Sequence, residues 1–221
     1  MLSKLIKFIL NIIFPINCLG DCGKFDIWLC DKCIKKIDAK NNYICLPDSN
    51  LTGLFYAESY QNELISKLIY YFKYKYIEEL ANPLGKIMFQ ALGSNLKFDL
   101  IAFVPLHKKK ELIRCFNQTY LLAKYVSKET SVPIVRGILN RKINTQAQAQ
   151  LDEQSRKINI KNAFICKNKK AVLNKTVLLV DDVYTTGSTM NECAKVLNKA
   201  GAKQIYGIVI AKGEASPNKR N

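Results

Sequence analysis

No apolar run in this chain is long enough to cross a bilayer. The nearest is Phe8-Ile9-Leu10-Asn11-Ile12-Ile13-Phe14, which follows Lys4 and Lys7 and imitates a secretion signal. Asn11 and Pro15 interrupt it, and no small-residue cleavage site follows. We read it as an amphipathic helix packed on a soluble, cytoplasmic protein, without stable membrane insertion. Acidic residues are scarce as well. Asp and Glu number 18 against 34 Lys and Arg in 221 residues, a formal net charge of +16. That shortage points to an anionic partner: a phosphorylated small molecule, a nucleic acid, or both. No internal repeat is evident, which sets aside solenoid architectures. The chain is 48% hydrophobic, enough for one good core with room for a small accessory module.

The densest chemistry lies at Val177–Thr189. Val177-Leu178-Leu179-Val180 has the pattern of a short buried strand. It runs into Asp181 and Asp182, where the carboxyl ends of strands in open α/β sheets bind ligands. Two adjacent carboxylates there need cations or hydrogen-bond donors, which Mg²⁺ and ribose hydroxyls supply. Thr185, Thr186, Gly187, Ser188 and Thr189 follow and open a helix. The hydroxyls can donate to phosphate oxygens, Gly187 allows close ligand approach, and the helix N-terminus favours an anion. A plain capped turn would explain a lone glycine loop. The carboxylate pair and four hydroxyls favour a ribose 5-phosphate ligand. The Gly-Lys-Ser/Thr ending of a nucleotide-binding P-loop is missing.

Eight cysteines are present, four of them close together. Cys18 and Cys22, then Cys30 and Cys33, have the spacing of a tetrahedral zinc site, with Gly20 and Gly23 permitting a tight knuckle. In a cytosolic protein this favours metal over disulfides, and four thiolates would close the site, making it structural. Cys45 is a possible substitute ligand. Cys115, Cys166 and Cys193 are expected in the core.

Alternating strands and helices predict an α/β fold with a parallel sheet flanked by helices. Strands are expected near 50–60, 100–104, 133–139, 177–180 and 204–211. Helices are expected over 62–92, broken at Pro83, over 117–129, and from 190 to 197. Residues 140–162 read as a long mobile loop, and the tail from 214 to 221 as frayed. At the end of the 100–104 strand, Lys108, Lys109 and Lys110 form a charge run. Beside the 181–189 motif, they suit a pyrophosphate group.

The 177–189 segment resembles the phosphoribosyl pyrophosphate (PRPP) loop of type I phosphoribosyltransferases. Val104-Pro105-Leu106-His107 followed by Arg114-Cys115-Phe116-Asn117-Gln118 closely resembles the ComF family, zinc-bearing relatives of those enzymes linked to natural DNA uptake. Phe72-Lys73-Tyr74, Arg141, Thr145, Gln148, Leu151, Arg156, Asn159, Ala163-Phe164 and Ala200-Gly201-Ala202 follow the same pattern. The likeness covers about residues 17–213. The chain departs from the family in its C-x3-C first pair, its single Cys45 where a later pair is usual, Cys115 in place of Gly, and Lys108–Lys110 in place of a Pro-Arg-rich stretch.

The resemblance implies a type I phosphoribosyltransferase-like domain over 51–213 behind a helix and zinc-finger module over 1–50. It implies PRPP with Mg²⁺ at Asp181, Asp182 and Thr185–Thr189, with Lys108–Lys110 toward the pyrophosphate. Arg141 and Lys142 would close over it. It also implies handling of single-stranded DNA, with competence or recombination proteins as further partners. Tyr70, Tyr71, Tyr74 and Tyr76, among Lys73 and Lys75, suit base stacking with phosphate contacts, although helically spaced aromatics usually pack in a core. Thr185 stands where hypoxanthine/guanine-type relatives place an acidic base, which argues against that form of purine salvage. The alternative is a metabolic phosphoribosyltransferase with an unidentified small acceptor.

Overall fold

A computed structural model of the chain describes residues 15–39, 42–92, 97–106, 108–142 and 160–213, with Lys108–Lys110 described through their backbone alone. The leading helix, His107, the ComF-like positions from Thr145 to Asn159 and the tail lie outside the described residues. Contacts divide the chain into two units, Met1–Asp38 and Ala39–Asn221.

The first unit is built on short backbone bonds. Cys18 N donates to the Lys24 carbonyl and Leu19 N to that of Trp28, both at 2.9 Å. A one-turn helix, α1 (Asp31–Ile34), follows, with Cys30 at its N-cap.

The second unit runs β1 (Tyr43–Cys45), β2 (Gly53–Ser59), α2 (Glu63–Tyr74), α3 (Ala81–Gln90), β3 (Leu100–Phe103), α4 (Lys108–Arg114), α5 (Gln118–Thr130), β4 (Leu139–Arg141), β5 (Phe164–Cys166), β6 (Thr176–Val180), β7 (Val183–Tyr184), α6 (Ser188–Lys199) and β8 (Gln204–Lys212). The main sheet has the order β1-β2-β8-β6-β3, and β7 also pairs with β8. Every pairing in it is parallel except β1 with β2. Phe103 is in register with Val180, so β3 and β6 end side by side. The turns after these two strands therefore meet at one rim, where ligands bind in such sheets.

Both faces of the central strands are covered, which is why they read as unbroken apolar runs rather than alternating ones. Leu54, Ala102, Leu179 and Val209 join one core with Met190, Cys193, Ala194 and Leu197 of α6. Their neighbours in the strands, Ile101, Leu178, Val180 and Ile208, are equally buried. Helices α3 and α5 approach closely at Gly85, where a Cβ would sit 2.5 Å from the Tyr125 side chain.

Several expectations need correcting. The break in the 62–92 helix falls at residues 75–77, where Tyr76 takes a φ of 56°. Pro83 sits in the first turn of α3, where a missing N–H costs no helical bond. The 133–139 strand reduces to a single bridge between Ile101 and Ile134. Pro133 supplies no N–H, and Gly137 turns the chain at a φ of 73°. The predicted loop over 140–162 begins inside a strand, because Leu139–Arg141 pairs with Phe164–Cys166. Three-residue strands carry too little periodicity to read. Lys108–Lys110, expected as a charge run at the end of the 100–104 strand, open α4.

Candidate functional site

A cleft of about 420 Å³ opens at the shared rim of β3 and β6. Asp181, Asp182 and Thr185–Thr189 line it, as does Arg141, so the sequence-derived ribose, phosphate and loop residues converge. Lys73, Tyr74 and Arg114 complete it from α2 and α4. Lys108–Lys110 occupy the first turn of α4, and Lys142 is exposed after β4.

The 185–189 loop has a geometry that suits an anion. Gly187 is the N-cap of α6 with φ 71° and ψ −3°, a conformation that favours glycine. A Cβ there would also run into the Tyr184 hydroxyl. Thr186 and Ser188 hydroxyls lie 2.9 Å apart. The carboxylate pair hangs from β8: Asp181 N donates to the Ile208 carbonyl, and the Asp182 carbonyl accepts from Ile210 N, both at 3.0 Å.

The electrostatics of that pair are unusual. Asp181 is 9% exposed, and its Oδ1 accepts from Asp182 N at 2.8 Å. Burial, then the neighbouring Asp182 charge, push its carboxyl up to about 8. Asp182 instead meets Lys73, with Nζ 2.8 Å from Oδ1. Burial works against the Lys73 charge, but Asp182, and Asp181 behind it, outweigh that and raise its pKa. Burial thus favours the protonated form of Asp181, while Lys73 pairs with Asp182.

Sequence reasoning placed Lys73 with the surface aromatics. The signal it missed is spacing. Ile65 and Ile69 are buried on α2, and Lys73 is the next position of that i, i+4 row. A lysine on a buried stripe marks an internal partner.

The remaining cations are held by neighbours. Arg141 Cζ lies 5.4 Å from the centre of the Phe164 ring, and burial lowers its pKa against the pull of Cys193 and Asp181. Arg114 donates to Gln118 Oε1 at 3.1 Å and lies 5.7 Å from the centre of the Tyr74 ring. The Phe116-Asn117-Gln118 segment is pinned to the rim. Asn117 caps α5, and the Thr119 hydroxyl reaches the Val104 carbonyl at 2.6 Å. Cys115, which stands where the family has Gly, takes a φ of 62° and is exposed rather than buried. Of the aromatics on α2, Phe72 is buried and stacks on Phe116, while Tyr70 and Tyr74 are about half exposed with ring centres 5.4 Å apart.

In the first unit, the sulfur atoms of Cys18, Cys22, Cys30 and Cys33 all lie within 4.8 Å of one another and could hold a metal such as zinc. Cys22 and Cys30 Sγ are 3.5 Å apart, close to the edge of a tetrahedron of zinc thiolates. A Cβ on Gly20 would sit 2.5 Å from Cys33 Sγ, so the knuckle closes only around glycine. The Cys33 amide pulls the Cys30 thiol down to about 6, while burial lifts Cys33 to about 12. Cys45 belongs to β1, where its thiol reaches the Thr52 carbonyl, and the cluster forms without it.

Comparison with known proteins follows the same lines. A family model described as phosphoribosyl transferase domain matches residues 117–221. Competence protein F of Haemophilus influenzae is 34% identical over 150 residues, 65% of this chain and 66% of that protein. The DNA utilization protein YhgH of Escherichia coli K12 is 32% identical over 148 residues, 64% of each chain. Competence protein ComFC of Bacillus subtilis is 28% identical over 143 residues, 63% of this chain and 56% of that one. The chain thus spans just under two thirds of the length of the first two. Among solved structures, an allosteric regulatory enzyme of purine biosynthesis overlaps 59% of this chain and 26% of its own, at 20% identity and a TM-score of 0.42.

The fold and its matched domain define a phosphoribosyltransferase-like α/β protein with a cysteine cluster at its N-terminus. Within that class, the chain belongs to the ComF family.

The two metals that the family implies fit differently. Four converging thiols suit zinc. At the carboxylate pair, Lys73 already pairs with Asp182 Oδ1 and Asp181 Oδ1 accepts from the Asp182 amide, so a protein-held magnesium there would share both carboxylates with groups of this chain.

Proposed function

We propose that the protein binds PRPP, or another ribose 5-phosphate, in this cleft and handles single-stranded DNA during natural transformation. The observation that carries the reading is the meeting of the carboxylate pair, the Gly187 loop and three cations in one cleft. Asp181 and Asp182 take the ribose hydroxyls. Thr185–Thr189 and the N-terminus of α6 hold the 5′-phosphate. Arg114 and Arg141 face the far end, with Lys108–Lys110 supplying charge from the start of α4, and these groups stabilise a pyrophosphate. Magnesium, when bound, neutralises pyrophosphate charge.

The DNA part rests on relatives named for competence and DNA utilization, on the +16 charge, and on the exposed Tyr70, Tyr74 and Tyr76. Lys73 is engaged in the cleft, so Lys75 is the cation left to that surface from the original pair. Among the described residues no helix is long and apolar enough to cross a membrane. The proposed location is the cytoplasm, where the four cysteines hold a structural zinc. Metal analysis should return about one zinc per chain, and none for Cys33→Ser.

Calorimetric titration of PRPP with magnesium tests the cleft. The expected result is one site per chain, lost when Asp182 becomes Asn. Fluorescence titration of a single-stranded oligonucleotide across a salt series tests the rest. Absence of binding at low salt removes the DNA role. Pyrophosphate release that depends on one small acceptor would shift the reading to metabolic phosphoribosyl transfer.

A further inference from the structure

The carboxylates of the cleft already have a cation. Lys73 and Asp182 meet at 2.8 Å with side chains only 18% and 13% exposed, a depth at which an ion pair persists only with good geometry. Lys73 comes from α2, far in sequence from the 181–189 loop, yet lines the same cleft. An ammonium carries three donors, and the Asp182 contact takes one. A divalent ion on Asp182 would have to share one carboxylate with that ammonium, against the repulsion of a second positive charge, and satisfy a strict octahedron of oxygens at about 2 Å. Vicinal ribose hydroxyls, being neutral, can instead donate to the carboxylate pair and leave the ion pair in place.

Resting on the ribose-phosphate reading above, we propose that Lys73 is the resident cation of the ribose subsite. The ribose 5-phosphate part of the ligand then binds without a divalent metal, and magnesium enters only with a pyrophosphate group. Lys73 is a positioning residue, since it sets the charge and orientation of Asp182. It also explains why one lysine in an otherwise aromatic helix segment points inward.

The test is calorimetry on the zinc-loaded full chain with ribose 5-phosphate, in millimolar magnesium and in magnesium-free buffer without chelator. The wild-type affinity should be the same in both within about twofold. Lys73→Gln should weaken it at least about tenfold in either buffer, a loss of roughly 1.4 kcal/mol, and Lys73→Arg should retain most of it. A wild-type affinity that collapses when magnesium is withdrawn overturns the proposal, as does folded Lys73→Gln binding like wild type. If Lys73→Gln fails to fold, the wild-type comparison and Lys73→Arg still decide. Absence of ribose 5-phosphate binding in both buffers overturns the ligand reading itself, and this inference with it.

Discussion

The two halves of the cleft are built in opposite ways. The carboxylates and hydroxyls come from one continuous stretch, Asp181–Thr189, which a single strand, turn and helix place at the rim. The cations come from three elements separated in sequence: Lys73 on α2, Arg114 on α4 and Arg141 on β4. The first half carries its geometry locally, in the left-handed Gly187 and the cap of α6. The second exists only once β3, β6 and β8 lie side by side. A contiguous site depends on its own backbone, and an assembled one depends on ion pairs that the tertiary fold brings together.

Breaking the ion pair that joins the two halves should cost the most. Asp182→Ala leaves the Lys73 ammonium in place without its carboxylate, and we expect about 3–5 kcal/mol of lost stability in urea unfolding. Asp182→Ala combined with Lys73→Met should recover a large part of that, which an exposed pair would not do. A loss under 1 kcal/mol would show that the two halves are not coupled through this pair. Gly187→Ala strikes the local half. The forced φ of 71° and the collision with Tyr184 should cost about 1–3 kcal/mol, and ribose 5-phosphate binding should fall at least about tenfold.

These contrasts match what the sequence revealed. β2, β3, β6 and β8 were legible because four or more apolar residues ran unbroken, and α5 because Asn117 stands at its cap. The turn and helix start over 185–189 were legible for the same local reason. β4 and β5 were not, since each has three residues and its partner lies beyond a long connection. Lys73 was misplaced because its neighbours Tyr70, Tyr74 and Tyr76 are exposed, and the buried row that includes it is visible only by counting from Ile65. Arg114 was quoted only as part of a motif, because nothing local tells that α4 turns it into the cleft.

Smaller effects sharpen the comparison further. Asp181 keeps its proton up to about pH 8 in the folded chain, against about 3.9 when unfolded. The folded state therefore binds more protons between those values, and stability declines as pH rises through them. The slope should approach about 1.4 kcal/mol per pH unit at most, and Asp181→Asn should flatten it in denaturation curves from pH 5 to 8. Cys115→Gly should stabilise by less than about 1 kcal/mol. It relieves a φ of 62° at the junction that carries Arg114, while adding disorder to the unfolded chain. Its thermal midpoint against wild type measures this directly.

The central claim is that both halves serve one ribose-phosphate ligand. Calorimetry of PRPP with wild type, Gly187→Ala and Arg141→Gln in magnesium buffer tests it most directly. We predict one site per chain for wild type, weakened at least about tenfold by each substitution, because both halves line the same cleft. Unchanged PRPP affinity in both folded variants would contradict the account.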